Sequence, residues 1–158
     1  RWSWQPNITL SNNRNHDFYF ERDGKLMDLG NTKISYSPAV VAANIIAFSP
    51  TDDWRIVLLT KHVGEQYMGN IDSELSNLKD YTVTDINVNY QIIPQSLFKE
   101  INISLLLNNI LALKYVSNGY WGHYNDDYSV PGMVKTIEYA GYFPQAQFNF
   151  LTGVTLKF

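Results

Sequence analysis

The chain has 158 residues, of which 17% are charged and 15% aromatic, with a formal net charge of -3 and no cysteine. The lack of cysteine excludes a disulfide scaffold, thiolate metal sites and a cysteine nucleophile. The small negative charge, with no Lys/Arg cluster, leaves no basic surface for nucleic acid. Low charge combined with many Val, Ile, Thr and aromatic residues points to an all-β chain.

The opening Arg1-Trp2-Ser3-Trp4 has neither a basic nor an apolar leader, so no signal peptide is expected. The longest apolar runs, 40–48 and 103–113, fall well short of the ~20 residues of a transmembrane helix. Any crossing of a membrane must therefore use strands. In chain order, period-two alternation and β-forming composition predict strands over Trp2–Leu10, Lys33–Phe48, Trp54–Val63, Tyr81–Ile92, Lys99–Asn109 and Phe148–Phe158. Pro6 and Pro38 each remove a ladder donor, which predicts that pairing starts or bulges beside them. In the last strand Phe148, Phe150, Thr152, Val154, Leu156 and Phe158 share one face, and Asn149, Leu151, Gly153, Thr155 and Lys157 the other.

The connections alternate in length. Those over 10–33, 64–80 and 117–147 are long and polar, whereas those over 48–54 and around Pro94-Gln95-Ser96 are short. Tight periplasmic turns and extended outer loops give this rhythm in an antiparallel transmembrane β-barrel. Strands of about ten residues, rising ~3.3 Å each and tilted ~45°, cover roughly 23 Å, close to the apolar band of an outer membrane. Trp54, Tyr81, Tyr90, Phe98, Tyr115 and Phe158 lie at or near strand ends, where aromatic girdles belong. A soluble β-sandwich, such as a carbohydrate-binding module, would share the alternation. It has no reason to place every long connection at one end. Six strands are too few to close a bacterial barrel, whose smallest form has eight. Gly, Asn, Asp and Lys in the long connections argue against hidden spanning strands. The chain 1–158 is accordingly read as one portion of a larger barrel.

Specific strings then become recognisable. Leu107-Asn108-Asn109-Ile110-Leu111-Ala112-Leu113-Lys114-Tyr115-Val116-Ser117-Asn118-Gly119-Tyr120 resembles the "NN-(I/L)-F-x-x-x-Y-x-S-N-G" stretch of TonB-dependent outer-membrane receptors. Tyr142-Phe143-Pro144-Gln145-Ala146 and Asn149–Phe158 are similar to their terminal "YFPQAGxNFLxGxTLKF", in the form carried by Bacteroidetes members. Ser35–Pro38, Phe48–Pro50 and Lys61–Tyr67 also resemble the corresponding strands. Leu111 replaces the usual Phe, and Gln147 stands where Gly is typical.

The resemblance implies about six C-terminal strands of a 22-stranded barrel closed by an N-terminal plug. It implies outer-membrane uptake of a bulky scarce nutrient, an iron chelate (siderophore) or cobalamin, energised through TonB, with a glycan importer of the same superfamily as the alternative. Its partners would be the rest of the barrel and plug, TonB through the N-terminal part, the outer-membrane assembly machinery, the lipid bilayer and a surface lipoprotein. No enzymatic activity and no cofactor are expected.

No nucleophile elbow, phosphate loop, zinc signature or dinucleotide fingerprint is present. Asn87, Asn89, Glu100, Asn102, Ser104, Asn108, Asn149 and Lys157 are the expected lumen-facing residues, there to hydrate the interior and hold a plug. Tyr120, Trp121, His123 and Tyr124 form an aromatic-rich stretch suited to a bulky ligand, or to packing of the loop itself. His16, His62 and His123 lack metal-ligand spacing, and Asp52-Asp53 and Asp126-Asp127 read as turn residues. Phe158 is the terminal aromatic that resembles the signal read by the assembly machinery.

Overall fold

The computed structural model describes residues 1–94 and 97–158. Alternation is converted into strands wherever it runs for nine residues or more. The elements are β1 (Trp2–Leu10), β2 (Arg14–Asn15), β3 (Tyr19–Arg22), β4 (Lys25–Asp28), β5 (Thr32–Lys33), β6 (Val40–Phe48), β7 (Trp54–Val63) and β8 (Gln66–Tyr67). A 3-10 turn (Glu74–Ser76) precedes β9 (Asn77–Leu78), β10 (Tyr81–Ile92), β11 (Glu100–Asn108), β12 (Val116–Asp126), β13 (Lys135–Pro144) and β14 (Asn149–Lys157). The fold is all-β and every pairing is antiparallel.

One six-stranded sheet runs in the order β1-β6-β7-β10-β11-β14, and it is open: β1 and β14 are its two edges. Its members are the six strands predicted from alternation, with the start of the second moved to Val40 and both ends of the last two drawn in by one residue. The segment expected as Lys33–Phe48 pairs in this sheet only from Val40, because Pro38 lacks an N–H and biases Ser37 out of the ladder. Lys33 belongs instead to a short ladder with Arg14. The connection 117–147 is not free of strands. It contains β12 and β13, which pair with each other and not with the main sheet. Residues Gln95 and Ser96 of the expected short turn lie outside the described residues.

Register separates two chemically distinct faces. On one face the partners are Trp2 with Phe48, Trp54 with Tyr90, Val88 with Leu105, and Ile103 with Val154, and no Asp, Glu, Lys or Arg occurs on it in any of the six strands. The opposite face carries Arg55, Lys61, Asp85, Glu100 and Lys157 among amides and small residues, with an aliphatic patch on β6 and β7 that includes the buried Ala47 and Val63. At the end with the short connections Trp2 stacks on Phe48 with ring centroids 4.1 Å apart, Trp54 on Tyr90 at 4.4 Å, and Phe98 lies 5.0 Å from Phe158.

At the other end the three long connections fold into a layer of their own. Between β3 and β4 the two-residue turn Asp23-Gly24 has φ of 54° and 70°, the paired positive values of a tight hairpin that Asp-Gly suits. Phe20, Met68, Ile71 and Leu78 are buried there beside Thr32 and Ser76. The loops thus supply most of the fully buried apolar side chains among the described residues.

Candidate functional site

The third long connection is fixed to the sheet by Asn109. Its φ of 48° is a left-handed value that Asn tolerates better than most residues, and the side chain is buried to 2% exposure. Its backbone N–H donates to the Asp85 carboxylate at 2.7 Å, and its Nδ2 donates to the carbonyls of Leu113 (2.8 Å) and Ala146 (3.2 Å). Its Oδ1 accepts from the Leu113 N–H at 3.0 Å. One side chain therefore holds both the start and the return of the loop. Beyond it, Tyr115 stacks on Tyr81 at 4.5 Å. Tyr81 pairs with Val63 on the charged face, so the stem of the loop crosses that face. Burial, and then the Asp85 carboxylate, push the Tyr115 phenol pKa above its ordinary value. A cleft of about 1050 Å³ opens here, lined by Tyr81, Leu113, Tyr115, Tyr142 and Glu74 among others.

The β12–β13 hairpin that follows has two unlike faces. Trp121 and His123 point toward the other loops. The Trp121 ring covers Gly69 and its Nε1 donates to Glu138 at 3.2 Å. The His123 ring lies 4.7 Å from Phe20 and 5.4 Å from Trp121. Glu138 also accepts from Arg22 Nη2 at 2.6 Å and from Ser73 Oγ. Tyr36 donates to the Gly119 carbonyl and Tyr142 to the Leu75 carbonyl, each at 2.8 Å. Asp23 and Thr136 exchange two hydrogen bonds, both 2.8 Å. All three long connections are locked together through this face.

Tyr120 and Tyr124 lie on the other face and are about half exposed. The four aromatic candidates are thus divided, two packed between loops and two open. Tyr139 and Phe143 share the open face and were not among the predicted residues. Their signal was the spacing Tyr139-x-Gly141-x-Phe143, legible once β13 is placed opposite β12. Asp126 accepts from the backbone of Ser129 at 3.0 Å, as a turn residue does, and the Ser129 hydrogen bonds hold its pKa below the usual value.

Asn87, Asn89, Glu100, Asn102, Ser104, Asn108 and Asn149 all fall on the charged face. Lys157 Nζ donates to both Glu100 carboxylate oxygens at 2.8 Å, and Asn102 donates to the same group. Asn108 Nδ2 donates to Asn149 Oδ1 at 2.8 Å. Phe158 ends the chain against Phe98, at the short-connection end. Among the described residues no three His, Asp or Glu side chains gather as metal ligands. His16 and His62 bond Asn31 and Thr82 through Nδ1, each at 2.9 Å.

No family model, curated protein or solved structure matches this chain.

Proposed function

We propose that this chain is the C-terminal wall of a TonB-dependent outer-membrane receptor, taking up a bulky scarce nutrient such as an iron chelate or cobalamin. The observation that carries the reading is the pair of sheet faces: one without a charged side chain over six strands, the other carrying amides and five charged side chains, of which Glu100 and Lys157 pair, beside an aliphatic patch. Hydrocarbon excludes unpaired charge, whereas a plugged, hydrated interior needs polar groups. The stacked aromatic pairs at one end of the uncharged face fit a headgroup girdle. The unpaired edges β1 and β14 are intolerable in lipid, so the remaining barrel strands and the plug are required partners. TonB would act through the plug. Assembly machinery would read the terminal Phe158, and a surface lipoprotein would meet the outer loops.

Outer-membrane fractionation and heat-modifiable gel migration of the natural protein test this reading. The expected result is a band in the outer-membrane fraction that shifts on boiling. A protein that stays in the soluble fraction and migrates identically heated or unheated contradicts it. The glycan-importer alternative keeps the same barrel and differs only in cargo.

A further inference from the structure

The sheet is open at β1, and two hydrogen bonds at the ends of that strand show which backbone groups face outward. The Ser49 N–H donates to the Arg1 carbonyl and the Ser11 N–H to the Ala39 carbonyl, each at 2.9 Å. Both pairs continue the register of the β1–β6 ladder. Antiparallel pairs alternate between bonded and non-bonded, so Ser3, Gln5, Asn7 and Thr9 turn their backbone groups toward β6. Trp2, Trp4, Pro6, Ile8 and Leu10 turn theirs to the free edge. Pro6 is the middle residue of the strand, and its nitrogen carries no hydrogen. The edge therefore offers N–H donors at Trp2, Trp4, Ile8 and Leu10, with a gap between them. No proline interrupts β14, the other edge. The gap lies in a polar row of the uncharged face, in which Pro6 pairs with Asn44, Asn44 with Thr60, and Thr60 with Thr84. Asn44 Oδ1 accepts from Trp4 Nε1 at 2.5 Å, and the two threonine hydroxyls are 3.3 Å apart.

We propose that β1 receives an antiparallel strand through a ladder broken at Pro6, so that the seam between this wall and the rest of the barrel lacks one rung at its centre. This specifies the partner surface of the receptor proposed above and rests on that reading. The partner is an amphipathic strand. It sets apolar residues beside Trp2, Trp4, Ile8 and Leu10 and polar ones beside Ser3, Gln5, Asn7 and Thr9, because each face of the wall continues across the seam. It runs antiparallel, as every pairing in this fold does. Opposite Pro6 its N–H reaches the Pro6 carbonyl, but its own carbonyl meets no donor. An unpartnered carbonyl is costly in hydrocarbon, and the row of Asn44, Thr60 and Thr84 sets polar groups at the same level of the wall. Pro6 is accordingly the point at which the seam opens first.

The test is residue-resolved amide hydrogen exchange on the natural full-length protein in lipid nanodiscs, as wild type and as Pro6→Ala. In the wild type the outward amides of Trp2, Trp4, Ile8 and Leu10 should be protected along with the inward amides of Ser3, Gln5, Asn7 and Thr9. Pro6→Ala supplies the missing donor and should slow exchange at Trp4 and Ile8 about tenfold, the factor of one net hydrogen bond. Pro50→Ala, in the short turn away from the seam, should leave those two amides unchanged. Fast exchange at Trp2, Trp4, Ile8 and Leu10 with slow exchange at the four residues between them marks a bare edge and overturns the proposal. Unchanged or faster exchange at Trp4 and Ile8 in Pro6→Ala overturns it as well. So does association of Pro6→Ala into larger species, which would make the proline the guard of a free edge. Heat-modifiable migration reports the barrel separately, so a heat-modifiable protein whose exchange ignores Pro6→Ala overturns this inference alone.

Discussion

The carboxylate of Asp85, on β10, accepts a 2.7 Å hydrogen bond from the backbone N–H of Asn109, just past the end of β11. Asn109 in turn bonds Leu113 and Ala146, so a 37-residue separation in sequence is closed by one buried amide. The aromatic hairpin is positioned by this contact.

Asn109→Ala should leave two partly buried carbonyls without their donor and place alanine at φ 48°, costing about 1–3 kcal/mol. Asn109→Gly relieves the backbone strain but restores no hydrogen bond, so it should recover only part of the loss. Thermal unfolding and limited proteolysis across 109–147 measure both. Equal stability of the wild type and Asn109→Ala would contradict the anchoring role.

Glu138 joins the three long connections through Arg22, Ser73 and Trp121. Glu138→Ala should expose the turn 22–25 to protease while leaving the six-stranded sheet folded. The Arg22 side chain is 44% exposed and that of Glu138 15%, so a double-mutant cycle should give a coupling of about 1 kcal/mol, not that of a fully buried pair. A zero coupling with unchanged cleavage rates would remove Glu138 from this role.

The strands of the main sheet were legible because alternation over nine to twelve residues is a strong periodic signal. Two-residue ladders such as Arg14–Asn15 with Thr32–Lys33 carry no period at all. The β12–β13 hairpin was hidden by its glycines, which lower strand propensity but here sit beneath the rings of Tyr120 and Tyr139. The division of Trp121 and His123 from Tyr120 and Tyr124 follows from strand parity. The packing of the first pair depends on Gly69 and Phe20, partners too distant in sequence to be read from it.

Lys33 and Glu65 pair at 2.9 Å, with the Lys33 ammonium 4.6 Å from the Tyr67 ring centroid. The hydrogen bond from Lys33, then that from Asn77, hold the Glu65 pKa below the usual carboxylate range. A depressed carboxylate stabilises the fold fully above its unfolded pKa, and that contribution is lost as pH falls through the folded value. The bond to Glu65 likewise raises the Lys33 pKa, whose contribution is complete below the ordinary lysine value and lost as pH rises through the raised one. Both side chains are over a third exposed, so the effect is under about 1 kcal/mol and fades with salt. Glu65→Gln should flatten the acid limb of the melting-temperature profile at low ionic strength. An unchanged limb would contradict the pairing.

Leu105 lies between Val88 and Thr152 on the uncharged face, and Asn102 between Gln91 and Thr155 on the other. Leu105→Lys should cost roughly 2–4 kcal/mol of barrel stability near the bilayer midplane, whereas Asn102→Leu should do little. Urea titration of the vesicle-inserted protein gives both values, and the reverse order would invert the assignment of faces.

Contact of the uncharged face with lipid can be tested residue by residue, because this chain contains no cysteine. Single cysteines are placed in turn at Phe150, Leu151, Thr152, Gly153, Val154 and Thr155, labelled with a fluorophore, and exposed to lipids carrying a nitroxide quencher in reconstituted vesicles. Strong quenching is expected at Phe150, Thr152 and Val154 and weak quenching at Leu151, Gly153 and Thr155, a period of two along β14. Uniform quenching along the strand, or none at any position, would contradict it.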